Sequence, residues 1–192
     1  MLPYIPIHLS QLARQLGIET CLEINSEILV PEERIRDLCL ENKCGNYGVN
    51  YMCPPCIGSL ADIDNKLKNY SHGLLLQYTR TLDVKGDIEA LRETKIDFHH
   101  KILELEDFLY TKGFSEVWGL IGGSCELCHP CGARTNRPCP YSEQARPSLE
   151  ALGIDVLGLL DSLGLDRAFH TERITWTGCL LVAKNPRHAK TR

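Results

Sequence analysis

The stretch Gly73-Leu74-Leu75-Leu76-Gln77-Tyr78-Thr79-Arg80-Thr81-Leu82 carries a solid apolar run and reads as a strand. Asp87 then caps a long helix that runs to about Lys112, with Ile88, Leu91, Ile102, Leu105 and Leu109 among its apolar positions and Gly113 as its stop. Residues 116–121 read as the next strand and deliver the chain through Gly122-Gly123 into a cysteine-rich segment. A strand, a long helix and a strand in that order predict a parallel pair joined by a right-handed crossover.

On either side of this unit the elements are shorter. An amphipathic helix over residues 9–16 stops at Gly17, and a short strand follows over 18–24. Pro31 opens a helix in the position proline tolerates, with Glu32 and Glu33 at the positive end of its dipole. Ser59 is an N-cap for a helix to about Tyr70, with Leu60, Ile63 and Leu67 at helical spacing. Two helical pieces, 148–152 and 155–163, precede a last strand near 174–183. The pattern predicts an α+β fold in one domain, residues 1–192. It consists of a small mixed sheet with helices packed on it and two cysteine-rich metal-binding loops, 39–56 and 122–140, at one end.

Composition narrows the function classes. With 43% hydrophobic and 24% charged residues, the 192-residue chain reads as an ordinary globular protein. Its net charge is −4 and its Lys and Arg residues are scattered, so no nucleic-acid partner is expected. The longest apolar stretches, such as Cys179-Leu180-Leu181-Val182-Ala183, fall far short of the ~20 residues that span a bilayer, so no membrane partner is expected either. Residues 1–8 lack a basic n-region and a sustained apolar h-region, which places the chain in the cytoplasm. In that reducing compartment ten cysteines are not a disulfide framework.

Eight of them fall into two groups. In the second, Cys125, Cys128 and Cys131 recur at three-residue intervals and Cys139 is followed by Pro140, which matches the logic of ferredoxin-type cluster loops. A cubane offers four iron corners on a compact body, so one short turning loop reaches three and a more distant cysteine takes the fourth. Seven residues separate Cys131 from Cys139, a spacing unusual for ferredoxins, so the triplet is the firmer part of the assignment. Zinc is the alternative; it more often pairs two Cys-x-x-Cys knuckles, although His129 offers a fourth donor. In the first group Cys39 ends a helix, and Cys44, Cys53 and Cys56 lie in a loop whose glycines let N–H groups approach sulfur. These four suit a second cluster and a structural zinc equally. Cys53-Pro54-Pro55-Cys56 also resembles a redox Cys-x-x-Cys, but the strand-to-helix context of that motif is missing.

Three segments resemble a family of predicted metal-binding proteins found mostly in anaerobic bacteria and archaea. They are Cys44-Gly45-Asn46-Tyr47-Gly48 leading to Cys53-Pro54-Pro55, then Gly122-Gly123-Ser124-Cys125 with its two following cysteines, and Arg146-Pro147-Ser148-Leu149-Glu150-Ala151-Leu152-Gly153-Ile154-Asp155-Val156. The resemblance implies metal, iron–sulfur foremost, in an anaerobic setting, and brings no established reaction. In the family pattern the first group ends at Cys-Pro-Pro, and a cysteine at the place of Cys56 is not a dependable part of it. Without Cys56 as a ligand, the first metal keeps an open coordination position.

The other candidates have structural readings. Cys21 and Cys179 sit in strands as buried apolar residues. His99 and His100 are adjacent and point to different faces of a helix, unlike a helical metal pair. Asp155 is an N-cap; Arg146 and Glu150 are spaced to pair, with the alternative that Arg146 offsets cluster charge or holds an anion. Tyr47, Tyr51 and Trp176 read as packing. No nucleotide-binding glycine loop and no nucleophile elbow occurs. The functional expectation is a protein with two 4Fe–4S clusters that passes electrons to a redox partner protein. Its alternatives are a cluster enzyme with an open iron and a zinc-stabilised binding module.

Overall fold

A computed structural model describes residues 7–183; residues 1–6 and 184–192, and with them much of the N-terminal segment read above, lie outside it. Four strands, β1 (Thr20–Asn25), β2 (Tyr70–Thr81), β3 (Val117–Leu120) and β4 (Arg173–Ala183), form one sheet in the order β1-β2-β4-β3. Five α-helices accompany them: α1 (Ile7–Gln15), α2 (Glu33–Leu40), α3 (Leu60–Leu67), α4 (Ile88–Thr111) and α5 (Val156–Ser162). The α+β class is as the sequence predicts.

The topology is not. Every ladder between strands is antiparallel, and the one parallel contact is a bridge between Ile121 and Ser148. Since β2 and β3 both run against β4, they point the same way, but β4 lies between them and the expected direct pair does not form. Burial explains the insertion. Cys179, Leu180, Leu181, Val182 and Ala183 are each at most 3% exposed, and a strand buried on both faces belongs at the centre of a sheet. Helix α4 therefore crosses over a slot that the last strand fills.

Period-two alternation divides the core. Leu74, Leu76, Leu180 and Val182 pack on one face with α1 and α4, through Leu9, Phe98, Ile102 and Leu105. Leu75, Cys179 and Leu181 pack on the other with Ile63, Leu67, Leu152 and Leu159, from α3, α5 and the segment before α5. Gly119 in β3 permits a close approach: a Cβ there would stand 2.5 Å from both Ile102 and the Glu106 carboxylate of α4.

Several boundaries differ from expectation. Pro31 precedes the N-cap, Glu32, rather than opening α2. Helix α3 ends at Leu67, and Tyr70 already pairs with Ala183 in the sheet. Ile88 is 64% exposed; the buried stripe of α4 begins at Phe98. The piece over 148–152 is a single 3-10 turn, Glu150–Leu152. Cys179 is fully buried in β4, and Cys21 is half-buried in β1 with its thiol donating to Ser10 Oγ at 3.7 Å.

Candidate metal centre

The second cysteine loop is an excursion from β3, closed at its base. The Ile121 N–H donates to the Pro147 carbonyl at 3.0 Å, so the chain leaves and returns at one point. Gly123, at φ +68°, turns it outward, and Cys125, Cys128 and Cys131 follow, each half-buried. A 3-10 turn over Gly132–Thr135, ended by Asn136 at φ 53° and closed by Arg137 N–H to Gly132 O at 3.0 Å, then doubles the chain back. That turn accounts for the long spacing and returns Cys139 toward Cys125 and Cys128. Burial pushes the Cys125 thiol up to about 11; charge on Cys128 and Cys139 would add to this, while the N–H groups of Leu127 and Arg146 oppose it. Burial also raises Cys128, followed by the charges of Cys131 and Cys139, with the Gly132 N–H opposing.

The first loop joins α2 to α3 by successive turns. Asn42, Gly45 and Gly48 adopt positive φ, and the N–H groups of Gly45, Val49, Cys53 and Cys56 each close a turn onto the carbonyl three residues back. Cys39 is half-buried, Cys53 is 8% exposed, and Cys44 and Cys56 are exposed. Burial pushes Cys53 up to about 12, helped by Cys44, Cys39, Cys125 and Cys131 in that order. Cys39 is raised by burial and then by Cys44. The fold thus sets Cys53 near Cys39 and Cys44 of its own loop and near Cys125 and Cys131 of the other, with Cys44 and Cys56 both exposed. All ten cysteines are free thiols. Among the described residues no three His, Cys, Asp or Glu side chains are drawn together tightly enough to hold a single metal ion. The donor chemistry nevertheless suits a thiolate-bound group: two adjoining cysteine loops, with backbone N–H groups at the second.

The family described as "Predicted metal-binding protein (DUF2284)" matches residues 22–182, a span that contains both cysteine loops. The chain belongs to this family. No curated protein and no solved structure matches it.

In this DUF2284 chain the two loops are fastened to each other. Asn50, 3% exposed, donates from Nδ2 to the Cys125 carbonyl at 3.0 Å, while its Oδ1 accepts the Met52 N–H at 3.0 Å. Asn46 Nδ2 reaches Ser124 Oγ at 3.2 Å, Tyr51 OH donates to Arg137 O at 2.8 Å, and Arg134 Nη2 donates to Gly45 O at 2.9 Å. Sequence reasoning missed Asn46, Asn50 and Arg134, and it read Tyr51 as packing. Two asparagines inside a cysteine group were the available signal, but in a Gly-rich loop they read as turn residues.

Charge around the second loop is also organised. Glu126 lies 3.5 Å from Lys95 and 3.7 Å from Arg92, both on α4, and 3.8 Å from His129. Arg92 also pairs with Glu89 at 3.3 Å, so two cations meet two carboxylates beside the loop. Arg146 differs from both expectations. Its guanidinium clasps the buried Glu106, with Nε at 2.9 Å and Nη2 at 2.6 Å, and Nη1 donates to the carbonyls of Glu143 and Ala145. Glu150 is exposed and takes no part. Burial works against the charge on Arg146, but Glu106 outweighs it and raises its pKa. Glu106 also accepts the Gly119 N–H. His99 is a core residue: 1% exposed, donating from Nε2 to Gln144 O at 2.9 Å, with its pKa lowered by burial to about 4. His100 is exposed. The side chain of His129 is 73% exposed. Asp155 caps α5 as expected, accepting the Gly158 N–H at 2.9 Å. Among the described residues no helix is long and apolar enough to cross a membrane.

Proposed function

We propose that this metal-binding protein is an iron–sulfur protein of oxygen-poor cells that passes single electrons to a redox partner protein. In this reading Cys125, Cys128, Cys131 and Cys139 hold one 4Fe–4S cluster, and Cys39, Cys44, Cys53 and Cys56 hold a second. The carrying observation is the turn over Gly132–Thr135, which brings Cys139 back to a triplet of ferredoxin spacing. When bound, the clusters supply one-electron chemistry. The chain supplies the rest. Its thiols bind, and burial of Cys53 and Cys125 keeps water from the sulfurs. The N–H groups of Leu127, Arg146 and Gly132 point partial positive charge at Cys125 and Cys128, which favours the thiolates and raises the potential.

Anaerobically purified protein is expected to be brown, with broad charge-transfer absorbance that bleaches on reduction and an EPR signal in the reduced state. Colourless protein carrying only zinc would overturn the reading.

The exposure of Cys56 favours a second reading for the first loop alone, in which three thiolates leave one iron open to a substrate. Cys56→Ala tests it. Unchanged iron content and EPR signal would support the open position; loss of the first cluster would make Cys56 a ligand.

A further inference from the structure

A buried polar residue stands in the seam between the two cysteine loops. Asn50 is 3% exposed, and its Oδ1 accepts the Met52 N–H at 3.0 Å, which fixes the side chain against its own loop. Its backbone carbonyl accepts the Cys53 N–H at 3.0 Å, and its Nδ2 donates to the Cys125 carbonyl at 3.0 Å. One residue and two hydrogen bonds therefore join the main chain of Cys53 to that of Cys125.

Two more bridges run the same way. Asn46 Nδ2 donates to the Cys44 carbonyl at 3.1 Å and reaches Ser124 Oγ, beside Cys125, at 3.2 Å. The Arg134 N–H donates to the Cys131 carbonyl at 3.1 Å, and its Nη2 donates to the carbonyl of Gly45, beside Cys44, at 2.9 Å. A fastening needs only groups on the facing rims, as in the Tyr51 bond to Arg137. Each of the other three instead links a cysteine of one loop to a cysteine of the other, directly or through the adjoining residue. Cys53 also lies near Cys125 and Cys131. Electronic contact falls steeply across an open gap and is carried better by covalent and hydrogen bonds. The burial of Asn50 and Cys53 keeps water out of this path.

We propose that Asn50 is a positioning residue that couples the two centres electronically, holding Cys53 and Cys125 in one bonded path along which an electron on either centre exchanges with the other. This coupling presupposes the two clusters proposed above. The electron leaves the reduced centre and enters the oxidised one, so no outside reagent is consumed. A chain with both centres reduced then holds two interacting spins rather than two independent ones.

EPR of the anaerobically purified, fully reduced protein at two microwave frequencies is the test, with iron measured on each sample. Splittings that keep the same spacing in field at both frequencies report interaction between spins, whereas differences in g spread with frequency. Such splittings are expected in the wild-type chain and absent from Cys53→Ser, which keeps one centre. Asn50→Ser retains an oxygen that can accept the Met52 N–H but is too short to reach the Cys125 carbonyl. It is expected to keep about eight irons and to show narrower splittings. About eight irons and about two spins per chain without frequency-independent splitting, or the same splitting in Asn50→Ser, would overturn the coupling. Loss of the first centre's iron from Asn50→Ser would make the residue a structural prop and also overturn its coupling role. Protein without iron–sulfur clusters would overturn the two-cluster reading itself, and the coupling with it.

Discussion

The two cysteine loops gather similar donors but are supported in different ways. The second grows from the sheet: its base is sealed by a backbone bond between Ile121 and Pro147, and its return is locked by Arg146 clasping Glu106 beneath β3. The first hangs between two eight-residue helices, α2 and α3, with Arg36 bridging its base to the Gly58 carbonyl at 3.0 Å. Its own turns shape it, and four hydrogen bonds fasten it to the other loop, through Asn46, Asn50, Tyr51 and Arg134. The difference implies a direction of dependence: the second loop can stand without the first, but the first leans on the second.

The largest expected effect tests that asymmetry. Cys125→Ser should abolish the second centre and also impair the first, leaving fewer than four irons per chain. Cys53→Ser should cost only the first centre and leave about four, the content of one cubane. Equal losses in the two variants, by iron analysis, would mean that neither loop supports the other.

Next in size is the anchor beneath the second loop. Glu106→Ala strands the buried Arg146 charge and the Gly119 N–H, and should destabilise the fold by about 3–5 kcal/mol in denaturant melts. Arg92→Met, which removes part-exposed contacts with Glu89 and Glu126, should cost less, about 1 kcal/mol.

His99 gives a pH test of the same region, since it holds the Gln144 carbonyl near the return of the second loop. Above pH 6.5 the imidazole is neutral in folded and unfolded chains alike; below that the unfolded chain takes up a proton that the folded chain resists down to about pH 4. Stability should therefore fall by about 3 kcal/mol as pH drops through that window, and His99→Gln should remove this part of the pH dependence.

Asn50→Ala should cost less than Glu106→Ala, about 1–3 kcal/mol, because it leaves the Cys125 carbonyl and the Met52 N–H without partners. Its effect should fall on the first loop. Faster hydrogen exchange across residues 44–56 than across 125–139 would sharpen the comparison; equal change in both would weaken it.

Much of the fold is legible in the sequence because its signals are local. The caps at Ser59, Asp87 and Asp155 each form the bond their position predicts, to Asp62, Ala90 and Gly158. The solid apolar runs in β2 and β4 correctly mark strands. Their neighbours are not legible, since no local pattern says that a strand near residue 180 slots between two that flank a crossover helix. The site divides similarly. Spacing groups the cysteines by loop. What holds the groups together lies far apart in sequence: Asn50 and Cys125 are 75 residues apart, and Arg146 finds Glu106 at a separation of 40 rather than Glu150 one turn away.

The central claim is that these cysteines hold two iron–sulfur cubanes. Iron, zinc and acid-labile sulfide measured together on anaerobically purified protein test it most directly. About eight irons and eight sulfides per chain, with negligible zinc, are predicted; zinc with no sulfide would contradict the account.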